Sequence, residues 1–193
     1  MTDRRQEIVR AAKQLVAESG ISALSVRSVA ARTGIGASTL RYYFPTQHAL
    51  YTEVVVGTFD AELDDLRIHD QSVPPQRRLT ECLAQFLPVD DKAVPQLDAW
   101  LSFYRMATGP ERTEQGERLL AVFSQRARQR VAAWLAVLAD EGVLASADSR
   151  AQTTMLLALV DGLCLSLLTP ESDTTLEEAH ALLADLAGML VSG

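Results

Sequence analysis

The chain has 193 residues, of which 48% are hydrophobic and 22% charged, and its formal net charge at pH 7 is −7. This length predicts one or two compact domains, and the apolar content excludes wholesale disorder. Two cysteines cannot build a disulfide framework, and the charged start of the chain lacks a signal-peptide pattern, so we expect a cytoplasmic protein. The longest apolar stretch, residues 155–168, is shorter than the roughly 20 residues that span a bilayer, so no membrane partner is expected.

Charge is distributed unevenly along the chain. Residues 1–50 contain seven basic and three acidic side chains, a net charge of +4. Residues 51–193 contain 11 basic and 22 acidic side chains, a net charge of −11. The asymmetry indicates a small anion-binding module followed by an acidic body, with a chance distribution as the alternative.

Apolar residues recur at spacings of three and four, which predicts an all-α protein. Glycines and prolines separate the periodic runs, and Ser25 is a candidate N-cap. The last helix has two candidate capping boxes, Thr174 with Glu177 and Thr175 with Glu178. About nine helices are expected, at residues 3–19, 26–33, 37–43, 46–68, 76–87, 93–108, 111–141, 149–168 and 176–191.

Two short predicted helices on either side of residues 34–36 have the pattern of a helix-turn-helix. Gly34 supplies the backbone freedom for a sharp reversal. The second helix of such a motif can lie in the major groove of DNA, and the side chains of residues 38–43 suit contacts with bases, phosphates and sugars. Tyr42 and Tyr43 point about 100° apart on a helix, so at least one should face solvent.

The segment SVRSVAARTGI at residues 25–35, followed by STLRYYFPTQHALY at residues 38–51, resembles the DNA-binding domain of the TetR family of transcriptional regulators. The resemblance implies a three-helix DNA-binding domain at 1–51 and a larger helical ligand-binding and dimerisation domain at 52–193. It implies a homodimer, most often a repressor, that binds a near-palindromic operator and is released by a small-molecule inducer, here unknown. Carried over by position, the family's DNA contacts are Arg27, Ala37, Ser38, Thr39, Arg41, Tyr42, Tyr43 and Gln47.

Two of these positions depart from the family pattern. Arg41 stands where many members have tyrosine, and Gln47 stands where a lysine usually supports a phosphate. Loss of the lysine should lower affinity for DNA, whereas Arg41 should restore a phosphate contact and alter sequence preference. The operator therefore cannot be inferred from relatives.

The C-terminal body is similar to the BetI-type subgroup in WLSFYRMA at residues 100–107 and LALVDGL at residues 157–163. The predicted helix 149–168 is apolar nearly all round, and the last helix has one apolar stripe. These helices are expected to pair with their symmetry mates, with an ordinary monomer core as the alternative. The predicted dimer interface comprises Leu156, Leu159, Leu163, Leu167, Leu182, Leu183, Leu186 and Leu190.

The acidic body also contains aromatic residues that could line a small-molecule cavity. Packing in the hydrophobic core is the alternative explanation for each of these aromatic residues. Asp161 lies inside an apolar helix and requires a partner, which we rank as an arginine, a dimer contact or a cationic ligand. The predicted pocket residues are Phe59, Phe86, Trp100, Phe103, Tyr104, Phe123, Trp134, Asp161 and Cys164.

Enzymatic function is the main alternative class. The three histidines, His48, His69 and His180, lie far apart, and no His-x-x-x-His, Cys-x-x-Cys or glycine-rich phosphate loop occurs. We therefore predict no catalytic residue, metal or cofactor. A helical adaptor without a DNA role is the third class, and failure of the basic module to bind duplex DNA at low salt would favour it.

Overall fold

The computed structural model describes residues 2–19, 24–46, 49–50, 53–54, 63–94, 96–110, 112–145 and 148–191. The chain divides into two compact units, Met1–Ala61 and Glu62–Gly193. Both units are helical. In the residue ranges just given, the β-type pairing is one isolated antiparallel bridge between Leu144 and Val191. The all-α prediction is therefore confirmed.

The N-terminal unit contains three named helices: α1 (Thr2–Ser19), α2 (Val26–Thr33) and α3 (Ala37–Tyr43). Residues 49–50 and 53–54 are also helical. In α1, Ile8 and Ala12 are fully buried and lie one turn apart, so they form the inward face of this helix. The buried core of the unit comprises Ile8, Ala12, Leu24, Val29, Ala30, Leu40, Phe44, Leu50 and Val54.

Local capping fixes both ends of α2. The Ser28 backbone N–H donates to Ser25 Oγ at 3.0 Å, and the Ser25 backbone N–H donates to Ser28 Oγ at 2.9 Å. This reciprocal pair is a capping box, which confirms Ser25 as the N-cap. Gly34 follows the helix with φ 66° and ψ 20°, the left-handed conformation that glycine adopts without a steric penalty. The chain therefore reverses within three residues, and α3 begins at Ala37.

The C-terminal unit contains five helices within its described residues, and each end lies within three residues of its expected position. Val131, Trp134, Leu156 and Leu183 are among the side chains of its core, which joins four of these helices. Thr175 caps the last helix in a capping box with Glu178, as expected. The helices are α4 (Pro75–Ala84), α5 (Gln96–Thr108), α6 (Glu114–Asp140), α7 (Ser149–Leu168) and α8 (Leu176–Leu190).

The predicted helix 46–68 does not reach its expected end. Residues 63–65 have no regular structure and residues 66–69 form a turn in which Leu66 has φ 43°, a conformation that cannot continue a right-handed helix. Leu63 and Ile68 are nevertheless buried, which explains an apolar spacing without a helix. Residues 47–48, 51–52 and 55–62 of this prediction lie outside the described residues. The described part of the chain contains eight named helices rather than about nine.

Helix α7, with 20 residues, is long and apolar enough to cross a membrane by length and composition alone. This differs from the expectation drawn from the shorter run 155–168. Its Leu156, Val160 and Leu163 side chains are buried in the core of the C-terminal unit. A core helix passes the same test of length and composition, so the result is weak evidence for a membrane span.

Both cysteines are free thiols buried in the core of the C-terminal unit. Cys82 Sγ donates to the Asp65 carbonyl oxygen at 3.3 Å. Burial raises the pKa of the Cys82 thiol to about 12 and the pKa of the Cys164 thiol to about 11. Neither thiol therefore forms the reactive thiolate near neutral pH.

Candidate nucleic-acid interface

Helix α3 is held by one buried side chain and exposes most of the others. Leu40 is 0% exposed, and Phe44, immediately after the helix, is 1% exposed. Both belong to the core of the N-terminal unit. Every other side chain of the helix except the half-buried Tyr43 is exposed, namely Ala37, Ser38, Thr39, Arg41 and Tyr42. Leu40 and Phe44 therefore hold this short helix in the core, and its polar side chains face solvent.

The two tyrosines of α3 have different environments. Tyr42 is 70% exposed, which confirms that at least one of the pair faces solvent. Tyr43 is half-buried and packs against the core of its unit. The two rings meet edge to face, with centroids 5.2 Å apart and planes at 87°. Tyr43 thus supports the exposed ring of Tyr42 from the core side.

Ion pairs within the N-terminal unit neutralise some of its basic side chains. Arg32 donates to both carboxylate oxygens of Glu18 at 2.6 Å, joining α2 to α1. Arg5 donates to Glu53 Oε1 at 2.6 Å, and its guanidinium lies 5.0 Å from the Phe44 ring centroid. These arginines have structural partners, which the overall charge of residues 1–50 does not reveal.

Arg27 on α2 and Arg41 on α3 differ from those paired arginines. Both side chains are exposed, and neither has an ion-pair or hydrogen-bond partner within the described residues. Their positive charge is therefore available to an anion such as a phosphate. Gln47, the remaining predicted DNA contact, lies outside the described residues.

Each of the two units contains a region that matches a known protein family. Residues 8–54 match the family described as bacterial regulatory proteins, tetR family, and residues 75–192 match the BetI-type transcriptional repressor C-terminal family. The chain belongs to the TetR family of transcriptional regulators. It is a regulator and not an enzyme, and its C-terminal domain is of the BetI type.

Individual relatives of this TetR-family regulator are distant. The HTH-type transcriptional regulator BetI of Rhizobium meliloti (strain 1021) is 23% identical over 183 residues, covering 94% of this chain and 86% of the relative. A TetR-family regulator from Rhodococcus sp. has a TM-score of 0.69 at 22% identity, with both chains fully covered. A regulator from Saccharomonospora viridis, solved in complex with choline, has a TM-score of 0.61 at 21% identity, also with both chains fully covered. These structures share the fold.

The predicted pocket residues of the regulator separate into groups. Phe86 and Trp134 meet edge to face with centroids 6.1 Å apart, and Cys164 Sγ donates to the Phe86 carbonyl oxygen at 3.8 Å. Trp100 and Tyr104 form a second ring pair on α5, with centroids 5.4 Å apart. Phe123 on α6 is half-buried, and Asp161 on α7 is exposed. Phe59 and the side chain of Phe103 lie outside the described part of the chain.

Trp134 is a core residue of the C-terminal unit. Its side chain is only 1% exposed, and its indole Nε1–H donates to Asp65 Oδ1 at 2.8 Å. Protein side chains surround the buried ring, so packing within the unit explains its position without a ligand. The sequence could not show this, because its polar partner lies 69 residues earlier.

Asp161 has no ion-pair or hydrogen-bond partner among the described residues. The arginine partner that we ranked first is therefore not found there. Although Asp161 keeps exposed surface, its apolar neighbours partly desolvate the carboxyl group, which disfavours the charged form and raises its pKa. A carboxylate in this position would gain from a cationic or hydrogen-bonding partner brought by another molecule.

A depression that sequence reasoning did not predict lies beside the first half of α8. Its volume is about 390 Å³, and it is open to solvent. Three of its lining side chains are carboxylates, which gives it an acidic character. The lining residues are Asp173, Thr174, Glu178, Ala181, Leu182 and Asp185.

The leucines predicted for the dimer interface fall into two groups. Leu156, Leu163, Leu183 and Leu190 are each 8% exposed or less and belong to the core of their own chain. Packing within one chain thus accounts for these four, as the alternative of an ordinary core allowed. The others retain exposed surface, with Leu182 at 48%, while Leu159, Leu167 and Leu186 are half-buried.

Further apolar side chains stand exposed on α7 and α8. Met155 and Leu165 on α7 are 50% and 46% exposed, and Met189 on α8 is 74% exposed. Exposed apolar side chains of this size on two helices of one unit are candidates for an interaction surface. Sequence periodicity missed them, because α7 is apolar on every side and does not reveal which side its own chain covers.

Proposed function

We propose that this regulator is a homodimeric cytoplasmic repressor that binds a near-palindromic operator through its N-terminal unit. The observation that carries the proposal is the presentation of α3, whose buried Leu40 fixes the helix while Ser38, Thr39, Arg41 and Tyr42 face outward. Arg27, Ala37, Tyr43 and Gln47 complete the proposed contact set. Exposed short polar side chains, an unpaired arginine and a tyrosine suit the major groove and its flanking phosphates.

The proposed role of each side chain follows from its chemistry. Arg41 pairs with a phosphate or with the O6 and N7 acceptors of guanine, and Arg27 reaches a base or phosphate from α2. Ser38 and Thr39 donate to base edges or phosphate oxygens, and the Tyr42 hydroxyl reaches the backbone. Two copies are needed, because half-sites on successive major grooves lie roughly 34 to 36 Å apart.

We further propose that the C-terminal unit, Glu62–Gly193, supplies the dimer contact and a small-molecule site. The exposed apolar side chains of α7 and α8 support the dimer contact. A ligand that favours the non-binding arrangement by about 1 to 3 kcal/mol lowers operator affinity roughly 5- to 150-fold. Choline is the first compound to test, because a regulator of this fold was solved with choline and because the Asp161 carboxylate has no partner among the described residues.

The test is footprinting of the purified protein on a duplex that carries its own upstream intergenic sequence, titrated across salt concentrations. A protected near-palindrome whose affinity falls steeply with salt is the expected result, because each neutralised phosphate contributes a slope of about −0.9 in log affinity against log salt. Equal affinity for this duplex and a scrambled one would contradict operator binding at that locus. Equal and weak affinity for genomic fragments as well would favour a helical protein without a DNA role.

A further inference from the structure

Residues 64–68 form an anchor segment near the first described residue of the C-terminal unit. The amide of Gln85 binds both backbone groups of Asp64. The Asp64 N–H donates to Gln85 Oε1 at 2.8 Å, and Gln85 Nε2 donates to the Asp64 carbonyl oxygen at 2.8 Å. A side-chain amide thus replaces the backbone partners that a helix would supply.

Asp65 is the next point of attachment, and all of its described partners come from α4 and α6 or from its own turn. Trp134 Nε1–H donates to Asp65 Oδ1 at 2.8 Å, and Arg130 Nη1 donates to the same oxygen at 3.0 Å. The Ile68 N–H and Cys82 Sγ donate to the Asp65 carbonyl oxygen at 2.9 and 3.3 Å.

The end of the anchor segment is held by a buried charge. Arg78 is 2% exposed, and its Nη1 donates to the Ile68 carbonyl oxygen. The same guanidinium forms a two-point contact with Glu141 just after α6. Such a dense set of side-chain bonds to a non-helical segment fixes its path, because each backbone group must be released for the segment to move.

Trp134 connects this segment to α7. One edge of the indole donates to Asp65, while the ring packs edge to face against Phe86, 6.1 Å between centroids. Cys164 on α7 donates through Sγ to the Phe86 carbonyl oxygen at 3.8 Å. A displacement of α7 or of Phe86 therefore acts on the indole that holds Asp65.

We propose that Trp134 and Asp65 are positioning residues that couple the packing of the C-terminal unit to operator affinity, with the indole N–H bond to Asp65 as the contact that is made or broken. The effect on operator affinity rests on the proposed function, whereas the bond between Trp134 and Asp65 does not. With the bond intact, the anchor segment keeps a single backbone conformation. With the bond broken, fewer molecules hold the arrangement that binds the operator, and the apparent affinity falls by that fraction.

The first arm of the test does not use DNA. Trp134→Phe keeps an aromatic ring against Phe86 and removes the N–H donor. Trp100→Phe is the control for losing an indole that does not bind Asp65, because the half-buried Trp100 pairs with Tyr104 instead. Amide hydrogen exchange is measured for a peptide covering residues 63–70 in the full-length protein. Roughly tenfold faster exchange is expected in Trp134→Phe and unchanged exchange in Trp100→Phe, since a bond to an ionised acceptor is lost. Equal exchange in wild type and Trp134→Phe would overturn the inference.

The second arm measures operator affinity for the same variants and for Asp65→Ala, whose partly exposed side chain leaves no core cavity. Trp134→Phe and Asp65→Ala should each weaken binding roughly three- to tenfold, and the double variant should be no weaker than Asp65→Ala, because both act through one bond. Faster exchange with unchanged operator affinity would overturn the coupling. If wild type binds no specific site, the proposed function fails, and the exchange arm alone decides whether Trp134 holds the anchor segment.

Discussion

Two arginines of the N-terminal unit show how a carboxylate partner decides whether a positive charge is available to an anion such as a phosphate. Arg32 is bound at two points by Glu18, whereas Arg41 is exposed and has no partner among the described residues. Arg32 and Arg41 contribute equally to the net charge, although an arginine paired with a carboxylate contributes less to a phosphate contact. The distinction follows from the packing of α1 against α2, which sequence spacing does not specify.

Arg41→Ala and Arg32→Ala are therefore a matched pair, because each removes one positive charge from the same unit. Arg41→Ala should weaken operator binding by about 1 to 3 kcal/mol if it reads a base, or lower the salt slope by about 0.9 if it binds a phosphate. Arg32→Ala should change binding much less, since its exposed ion pair is worth only about 0 to 1 kcal/mol in stability. Fluorescence anisotropy titrations with operator DNA measure both. Equal losses would show that charge alone drives binding, and loss of the dimer in Arg41→Ala would show that Arg41 is structural.

The pair formed by Arg78 and Glu141 gives a prediction for stability. Removing Glu141 as Glu141→Ala leaves a buried guanidinium without its counter-charge, so the free energy of unfolding should fall by about 3 to 5 kcal/mol. Glu81→Ala is the control, because its partners Arg67 and Arg77 are largely exposed and about 0 to 1 kcal/mol is expected. Urea denaturation measures both values. A loss below about 1 kcal/mol in Glu141→Ala would contradict a buried pair.

The same pair should depend on pH in one direction. Hydrogen bonding from Arg78 holds the pKa of the Glu141 carboxyl below its ordinary value of 4.5. The stabilisation is therefore fully present above that ordinary value and is lost as the pH falls through the lower pKa of the folded state. The difference in unfolding free energy between wild type and Glu141→Ala should thus shrink below about pH 4.5.

At the scale of the element, the turn between α2 and α3 depends on one backbone conformation. Gly34 has φ 66°, and a Cβ placed there meets no atom within 4 Å, so the cost of a side chain is purely conformational. Gly34→Ala should lower the free energy of unfolding by about 1 kcal/mol or slightly more. Gly36→Ala is the control, because Gly36 has φ −67° and its added Cβ would meet only Ser38 Oγ, at 3.7 Å. Thermal unfolding monitored by circular dichroism compares them, and equal melting temperatures would contradict the assignment of strain to Gly34.

Local sequence signals predicted the elements that local contacts determine. Ser25, Gly34 and Thr175 define helix ends through partners within five residues, and the helix-turn-helix follows from them. The region after Leu63 was not predictable in this way, because the side chains that hold residues 64–68 lie 10 to 69 positions later in the chain, as with Arg78–Ile68 and Trp134–Asp65. Leu63 and Leu66 have the helical spacing of three residues, although only Leu63 is buried and Leu66 is 54% exposed.

The candidate site was predictable to the extent that it lies on one short helix. Exposure of Tyr42 and burial of Leu40 follow from the geometry of α3, whereas the partners of Arg5 and Arg32 lie on other elements. The pocket and dimer residues were less accessible to sequence reasoning. An all-round apolar helix such as α7 does not encode which stripe packs in its own chain and which remains exposed.

At the scale of the whole molecule, exposed apolar side chains on α7 and α8 predict where two copies meet. Leu182→Glu places a charge on α8 at a side chain that is 48% exposed and should convert the dimer to a monomer, since an unpaired buried carboxylate is costly. Val89→Glu is the control, because Val89 is 89% exposed and lies outside both helices, and it should remain dimeric. Light scattering after gel filtration measures the mass. A dimeric Leu182→Glu with unchanged helicity would move the interface elsewhere.

The buried state of Cys82 and Cys164 also makes the protein suitable for distance measurements. With both native thiols unreactive near neutral pH, a maleimide reagent finds no site in the folded wild-type protein. A cysteine introduced at the exposed Ser38 would then carry the single label of each subunit. Two spin labels or dyes in a dimer would report the separation of the two α3 helices directly, with no need to replace core residues first, and the same sample could be compared before and after each candidate ligand is added.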